Sequence, residues 1–299
     1  MRIAGAGLAG LIAAHIFRRH EPVVFEAQKE LPSNHSAILR FRTPVVSEAT
    51  GIPFKKVDVQ KAAMWNGELT TKGTVAISNA YSQKVTGAVV DRSVLNLYPV
   101  ERYIAPHNLV DLLAKGIDIR FGTKLTLANG LEPIIWTAPM PILMDIMEWE
   151  KPEFKFNAIW VVTWEILTPD VDVFQTIYYP ADDVPYYRAS INGNRLIVEY
   201  AQQPDENYLP HDILWDFGIG GVNLSDGRFK KQSYGKILNI DEKLRRKFVM
   251  AMTDDNNIYS LGRFATWRQL LLDDIVGDAR KIDRWIETRD DYGRTRDGR

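Results

Sequence analysis

Apolar and polar positions follow two rhythms along this chain. Near its start a short run, Arg2-Ile3-Ala4, leads into Gly5-Ala6-Gly7-Leu8-Ala9-Gly10, and Leu8, Leu11, Ile12, Ile16 and Phe17 then recur at helical spacing. A second apolar run, Val23-Val24-Phe25, ends on Glu26. The pattern predicts strand, glycine turn, helix, strand, acid. From residue 51 to 104 the rhythm shortens to period two. Val57 to Val59, Val75-Ala76-Ile77 and Ala88-Val89-Val90 are separated by Asn66-Gly67 and Lys72-Gly73, which predicts β-hairpins rather than a helical bundle. Ser93 to Tyr98 fits a short helix or a strand.

Pro106-His107-Asn108 opens a short amphipathic helix closed by Gly116. Strands are expected at 117–121, 124–127 and 134–139, with a turn at Asn129-Gly130. They resume at Ala158 to Trp164, Val173 to Tyr179 and, after the Asn192-Gly193 turn, Arg195 to Tyr200. A helix is expected within 208–223, an extended segment over Ser233 to Ile240 and a helix over Asp241 to Met252. Ile258 to Leu261 reads as a strand entering Gly262-Arg263 and an aromatic loop. Asp273 or Asp274 then caps a helix reaching Ile286. Residues 288–299 are charged, lack an apolar period and read as a flexible tail.

The glycine turn carries the first chemical signal. Gly5 permits a tight turn, Gly7 lets backbone approach a pyrophosphate, and Gly10 lets helix pack on strand. The helix start offers N–H groups and partial positive charge to phosphate. Glu26, 21 residues after Gly5, stands where a carboxylate accepts from a ribose diol. A glycine turn of some other α/β protein is the plainer alternative. Because the motif begins at the third residue, no leader is expected ahead of it.

Further on, Arg40 and Arg42 share one face of an alternating segment. They suit a phosphate or substrate anion, or equally a solvated strand face. His35 just before them is a loop hydrogen-bonder or a base. Composition narrows the classes. With 299 residues, 45% hydrophobic, and a net charge of −1, the chain reads as globular, and no stretch reaches the ~20 apolar residues of a membrane span. Zero cysteines exclude disulfides, thiolate metal sites and a cysteinyl flavin link. A cytoplasmic location fits that composition, no metal site is expected, and the near-neutral charge argues against nucleic-acid binding through the whole surface.

Three stretches carry a resemblance. The opening βαβ unit resembles flavoproteins of the amine oxidase and UDP-galactopyranose mutase clan. The late IYSLGRFATWRQLLLDDIVGDA resembles the mutases' C-terminal flavin motif, and IYYPADDVPYYRASI resembles their substrate-domain strand pair. The resemblance implies an α/β fold: a Rossmann-type (GR2-like) FAD-binding domain over 1–50, 105–150 and 255–287, with an inserted β-rich substrate domain over 51–104 and 151–254. In many flavin enzymes the strand at 134–139 returns beside the first.

It further implies non-covalent FAD held by Gly5, Gly7, Gly10, Glu26, Gly262, Arg263 and Asp273. Arg188, Tyr187, Tyr186 and Arg40 would face the substrate, and Arg42 and His35 are the catalytic candidates. The implied reaction is oxidation of a C–N bond in an amine or aminoacyl substrate. The alternative is a mutase-like non-redox reaction, although residues 51–104 lack the mutases' helical insertion pattern and Phe41-Arg42-Thr43 stands where they carry a histidine segment. Some small phage-encoded flavoproteins share the shortened layout and act on amino-acid-modified thymine, so a modified nucleobase, and DNA itself, stay open as partners, in a host cytoplasm if the chain is phage-encoded.

Overall fold

A computed structural model describes residues 1–32, 39–89, 93–127, 132–168, 172–205 and 210–297. The chain opens with β1 (Arg2–Ala4), α1 (Leu8–Ile16), β2 (Val23–Phe25), β3 (Arg40–Phe41) and α2 (Val45–Thr50). β4 (Lys55–Trp65), β5 (Glu68–Thr70), α3 (Val75–Thr86), β6 (Val100–Ile104), α4 (Leu109–Ala114), β7 (Asp118–Arg120), β8 (Ile134–Trp136) and α5 (Met140–Ile146) follow. Then come β9 (Phe156–Glu165), β10 (Val173–Tyr178), β11 (Tyr186–Gly193), β12 (Arg195–Tyr200), α6 (His211–Asp216), β13 (Arg228–Ile237), α7 (Glu242–Asn256), β14 (Ile258–Ser260) and α8 (Leu272–Asp297).

Two sheets organise these elements. The first is parallel, in the order β14-β8-β1-β2-β7, with Arg2 level with both Val23 and Ile134. β8 and β14 are short, mainly apolar runs buried on both sides, as a doubly wound sheet requires, whereas the edge strand β7 exposes Asp118 and Arg120. Ile3, Ile135 and Tyr259 face α1 and α8. Ala4, Ile134, Trp136 and Ile258 face Met140 of α5 and Phe248 and Met252 of α7. The return of β8 beside β1 matches the expectation from sequence.

The second sheet has nine strands, in the order β13-β9-β12-β11-β10-β4-β6-β3, with β5 paired to β4. It curls. Arg40 sits on the terminal strand β3, yet its guanidinium reaches Thr176 and Asn192 on β10 and β11, across β4 and β6. One face packs under α6 through Trp164, Tyr186, Val198 and Leu214; the other packs under α3 through Ile77, Tyr81, Val161 and Tyr187.

The structure departs from the sequence reading at several elements. Val75-Ala76-Ile77, expected as a strand, begins helix α3; Thr74 caps it, its hydroxyl accepting from Ile77 N at 3.2 Å. The β-branched run suggests a strand, but the apolar face Ile77, Tyr81, Val85 recurs at helical spacing and packs onto the sheet, so tertiary burial overrides local propensity. Ala88 and Val89 form no strand, and neither does 124–127. The strand expected around Arg40 and Arg42 is only Arg40–Phe41, because Pro44 ends it and opens α2. α5 was not foreseen. α8 continues to Asp297, through the expected tail. The Asn129-Gly130 turn and His35 lie outside the described residues.

Candidate functional site

The glycine turn lies at the C-terminal ends of the parallel strands, where open α/β sheets bind ligands. Gly5 N donates to Phe25 O at 2.8 Å, closing the turn onto β2. A Cβ on Gly10 would stand 1.9 Å from Gly5 O, so only glycine lets α1 seat there. Gly7 differs: a Cβ on it would meet nothing within 4 Å, and its backbone is extended at φ −71°. Gly7 is exposed, it is the N-cap of α1, no side chain caps this end, and no acid lies in the first turn. The helix start is therefore open and electropositive.

Glu26 closes the turn from the side. Its carboxylate accepts from Ala6 N at 2.7 Å and Gln28 N at 2.9 Å, which fixes its position and leaves further lone pairs. From the far end of the chain, Leu261 N donates to Trp136 O, and Gly262 follows at φ +94° with a Cβ position only 3.0 Å from Ala9 Cβ. Thus the two sequence motifs, separated by some 250 residues, meet at the start of α1.

Residues 263–274 also join the two ends of the curled sheet. Arg263 donates to Gly235 O at 3.3 Å, Trp267 Nε1 to Leu238 O at 2.9 Å, and Gln269 to Ile237 O, all at the β13 end. At the β3 end, Asp273 accepts from Thr43 N and Thr43 Oγ1, each at 3.0 Å, and from Arg42 N at 3.3 Å. Arg42 itself pairs with Asp274 at 2.5 Å. Asp273 is buried, and its carboxylate serves the 42–43 turn. Arg40 and Arg42 therefore do not share an open face: one reaches into the sheet and the other onto α8.

On the α3 side of the sheet, cross-strand register places side chains in rows. Tyr178, Arg188 and Glu199 form one row, and Thr176 and Ser190 part of the next. Arg188 grips Glu199 with two bonds, Nη2 to Oε1 at 2.7 Å and Nε to Oε2. Glu199 is 2% exposed. Burial would raise its pKa, but Arg188 and, further off, Lys236 pull it below the ordinary carboxylate value. Burial likewise opposes the Arg188 charge, and Glu199 overcomes that to hold the guanidinium well above its usual pKa. Tyr187 lies buried beside this pair, edge-on to Tyr81 of α3, with the Lys236 amine 5.4 Å from its ring centre. Tyr186 turns to the opposite face, edge-on to Tyr179 in the cluster under α6.

Sequence reading missed Glu199 and Lys236, although a signal for Glu199 existed. The Asn192-Gly193 turn pairs Asn192 with Arg195, and counting outward puts Arg188 opposite Glu199, a lone acid in the apolar run of β12. It also missed two buried polar atoms, Trp136 Nε1 and Ser260 Oγ, which have no hydrogen-bond partner among the described residues. They are register partners at the C-terminal ends of β8 and β14.

No protein-family model matches the chain, and no curated protein matches it in sequence. Solved structures do match in fold. A reduced UDP-galactopyranose mutase shares 12% identity at a TM-score of 0.69, over 96% of this chain and 95% of that one. A putative protoporphyrinogen oxidase from Exiguobacterium sp. 255-15 shares 13% at 0.61, over 96% and 98%. PqsL of P. aeruginosa, in complex with 2-aminobenzoylacetate, shares 14% at 0.54, over 96% and 86%. At these identities the likeness is one of fold. It establishes the α/β, Rossmann-type architecture with an added β-rich sheet.

Proposed function

We propose that this chain is an FAD-dependent oxidoreductase acting on a C–N bond of an amine or aminoacyl substrate. The observation that carries the reading is the convergence of Gly5–Gly10, Glu26 and Gly262 around the uncapped start of α1. The open space at Gly7 suits a diphosphate, and the unpartnered Trp136 and Ser260 atoms at the strand ends suit a polar ligand. The match in fold to a mutase and to an oxidase supports the same cofactor.

Gly5, Gly7 and Gly10 would lie against the diphosphate, Glu26 at the adenosine ribose, and Gly262 and Arg263 along the flavin half. Asp273 would act through the 42–43 turn that it holds. With no cysteine in the chain, no cysteinyl link forms. Bound FAD supplies the acceptor for the hydride lost from the carbon next to nitrogen. The chain's own part is to exclude water and orient the substrate. Tyr178, partly exposed and backed by the buried Tyr81 and Tyr187, would offer an aromatic edge that favours an uncharged amine, and Arg188, held by Glu199, stands beside it.

The nucleobase version of this reading, with phage origin and DNA as partner, rests on resemblance of size and motif. A cytoplasmic location belongs to the same proposal; among the described residues no helix is long and apolar enough to cross a membrane.

A mutase-like, non-redox reaction is the second reading. The TM-score of 0.69 to the mutase favours it, and α3 shows that residues 51–104 are not hairpins alone. One experiment separates the two. The purified protein is examined for a flavin absorption band and titrated anaerobically with glycine-type amines and glycyl-thymidine. Bleaching by an amine supports oxidation. No bleaching, with a spectral response to UDP-galactose after dithionite reduction, supports the mutase. A protein that neither carries flavin nor quenches added FAD overturns both.

A further inference from the structure

The α3 side of the curled sheet carries more positive charge than the chain as a whole, whose net charge is −1. Three of its cations are set apart. Arg102 lies opposite Val57 on β4, Lys61 lies four residues along β4 on the same face, and Arg40 lies opposite Ile104, two residues from Arg102. Among the described residues none of the three makes an ion pair, while Lys55, on the same face, pairs with Asp172. Their hydrogen bonds go to neutral groups. Arg40 donates to Asn192 Oδ1, Thr176 Oγ1 and the carbonyls of Gln175 and Ile191. Lys61 donates to Asn96 O at 3.2 Å and Arg102 to Glu101 O at 2.7 Å.

Arg102 repels both of the others. Burial, then Arg188, and with them Arg102 push the Arg40 pKa down to about 9, so it stays charged at neutral pH. Burial and Arg102 lower that of Lys61 as well. Next to them Arg188 and Lys236 share one carboxylate, Glu199. Glu199 offsets part of this repulsion at Arg40, whereas among the described residues no carboxylate pairs with Lys61 or Arg102, so an anion from outside the chain would be favoured beside them. Arg40 is the fixed member, because its bonds to β10 and β11 leave it little freedom. Lys61 and Arg102 each spend one donor on a carbonyl and keep others for a ligand.

We propose that Lys61 and Arg102, backed by Arg40, form an anion subsite, and that the substrate bears a carboxylate or phosphate group that docks on this face. The substrate assignment rests on the flavin reading above; the subsite itself does not.

The test uses the full-length chain with FAD added, titrated by calorimetry with inorganic pyrophosphate and, separately, with succinate. Binding of pyrophosphate alone assigns a phosphate-bearing ligand, and binding of succinate alone a carboxylate. Lys61→Gln and Arg102→Gln are each expected to weaken the bound probe about tenfold, the loss of one charge-assisted hydrogen bond. Lys55→Gln, which removes a charge already paired, is expected to change affinity less than about twofold. Circular dichroism checks that each variant is folded; if a glutamine variant unfolds, Lys61→Arg, which keeps the charge, is expected to retain binding. Absence of binding by either probe up to about 10 mM, or equal weakening by Lys55→Gln, overturns the subsite. Flavin absorbance read in the same samples reports separately on the cofactor, so the failure of one idea is distinguishable from the failure of the other.

Discussion

The glycine turn and the curled sheet's α3 face are two sites of opposite construction. The turn is made of backbone: six consecutive residues, closed by Glu26 and approached by Gly262. Its positive character comes from a helix start that has no side-chain cap. The sheet face is made of side chains from several strands, and its character comes from Arg40, Lys61, Arg102 and the Arg188–Glu199 pair. A backbone site is specified by where side chains are absent, so one substitution can fill it. A side-chain site is specified by topology, so a substitution removes a charge and leaves its partner exposed or stranded.

The first way to break the comparison is to fill the turn. Gly10→Ala puts a methyl 1.9 Å from a backbone oxygen that no rotamer change can relieve. We expect a loss of more than about 4 kcal/mol in folding stability, seen as a lowered denaturation midpoint. If the variant is as stable as the parent, α1 does not seat as described. Next is the buried pair. Glu199→Gln strands the Arg188 charge, and we expect a cost of about 3 kcal/mol. The sign with pH follows from the depressed Glu199 pKa. Its stabilisation is fully present above the unfolded carboxylate value, near 4.3, and is lost as pH falls through the folded value. The parent should therefore lose stability in acid over a range where Glu199→Gln does not; parallel acid curves would show that the pair contributes nothing.

Gly7→Ala sharpens the contrast further, because the same change at a neighbouring glycine meets open space and extended backbone. Stability should fall by only about 1 kcal/mol, the cost of alanine at an N-cap, while FAD affinity, read by fluorescence quenching, should fall about tenfold. Unchanged affinity would mean that no group approaches Gly7.

This division also explains what the amino-acid sequence made legible. The β1–α1–β2 unit and Glu26 could be read because their signals are local: an apolar run, glycines at fixed spacing, an acid at a strand end. The return of β8 beside β1 is non-local and was expected only from the resemblance to flavin enzymes. Arg188 could be singled out, but its partner required hairpin register, since Glu199 is contiguous with it only across β11 and β12. Arg40 could be singled out as an anion candidate, but its place in the fold could not be read. Period two placed it on a face with Arg42, whereas curling of the sheet sends it across two strands to Thr176 and Asn192. α3 was hidden for another reason: its β-branched start reads as strand until the sheet beneath supplies a surface for Ile77, Tyr81 and Val85.

α3 covers the sheet face, and the smallest expected effect concerns how it is held there. Lys84 of α3 donates to Ala181 O in the β10–β11 connection, with Asp182 and Asp183 close by. Burial lowers its pKa to about 8, and the two aspartates only partly oppose this. An unfolded lysine keeps its proton to about 10.4. Between about 8 and 10.4 the unfolded chain thus binds more protons than the folded one, so this group makes stability rise with pH across that window. Lys84→Met removes the titration while preserving the apolar stem. Comparing denaturant midpoints of parent and variant from pH 8 to about 10 should show a shallower pH slope in the variant, whatever the other lysines contribute to both. Identical slopes would place Lys84 in solvent and free α3 from the hairpin, leaving apolar packing alone to hold it on the sheet.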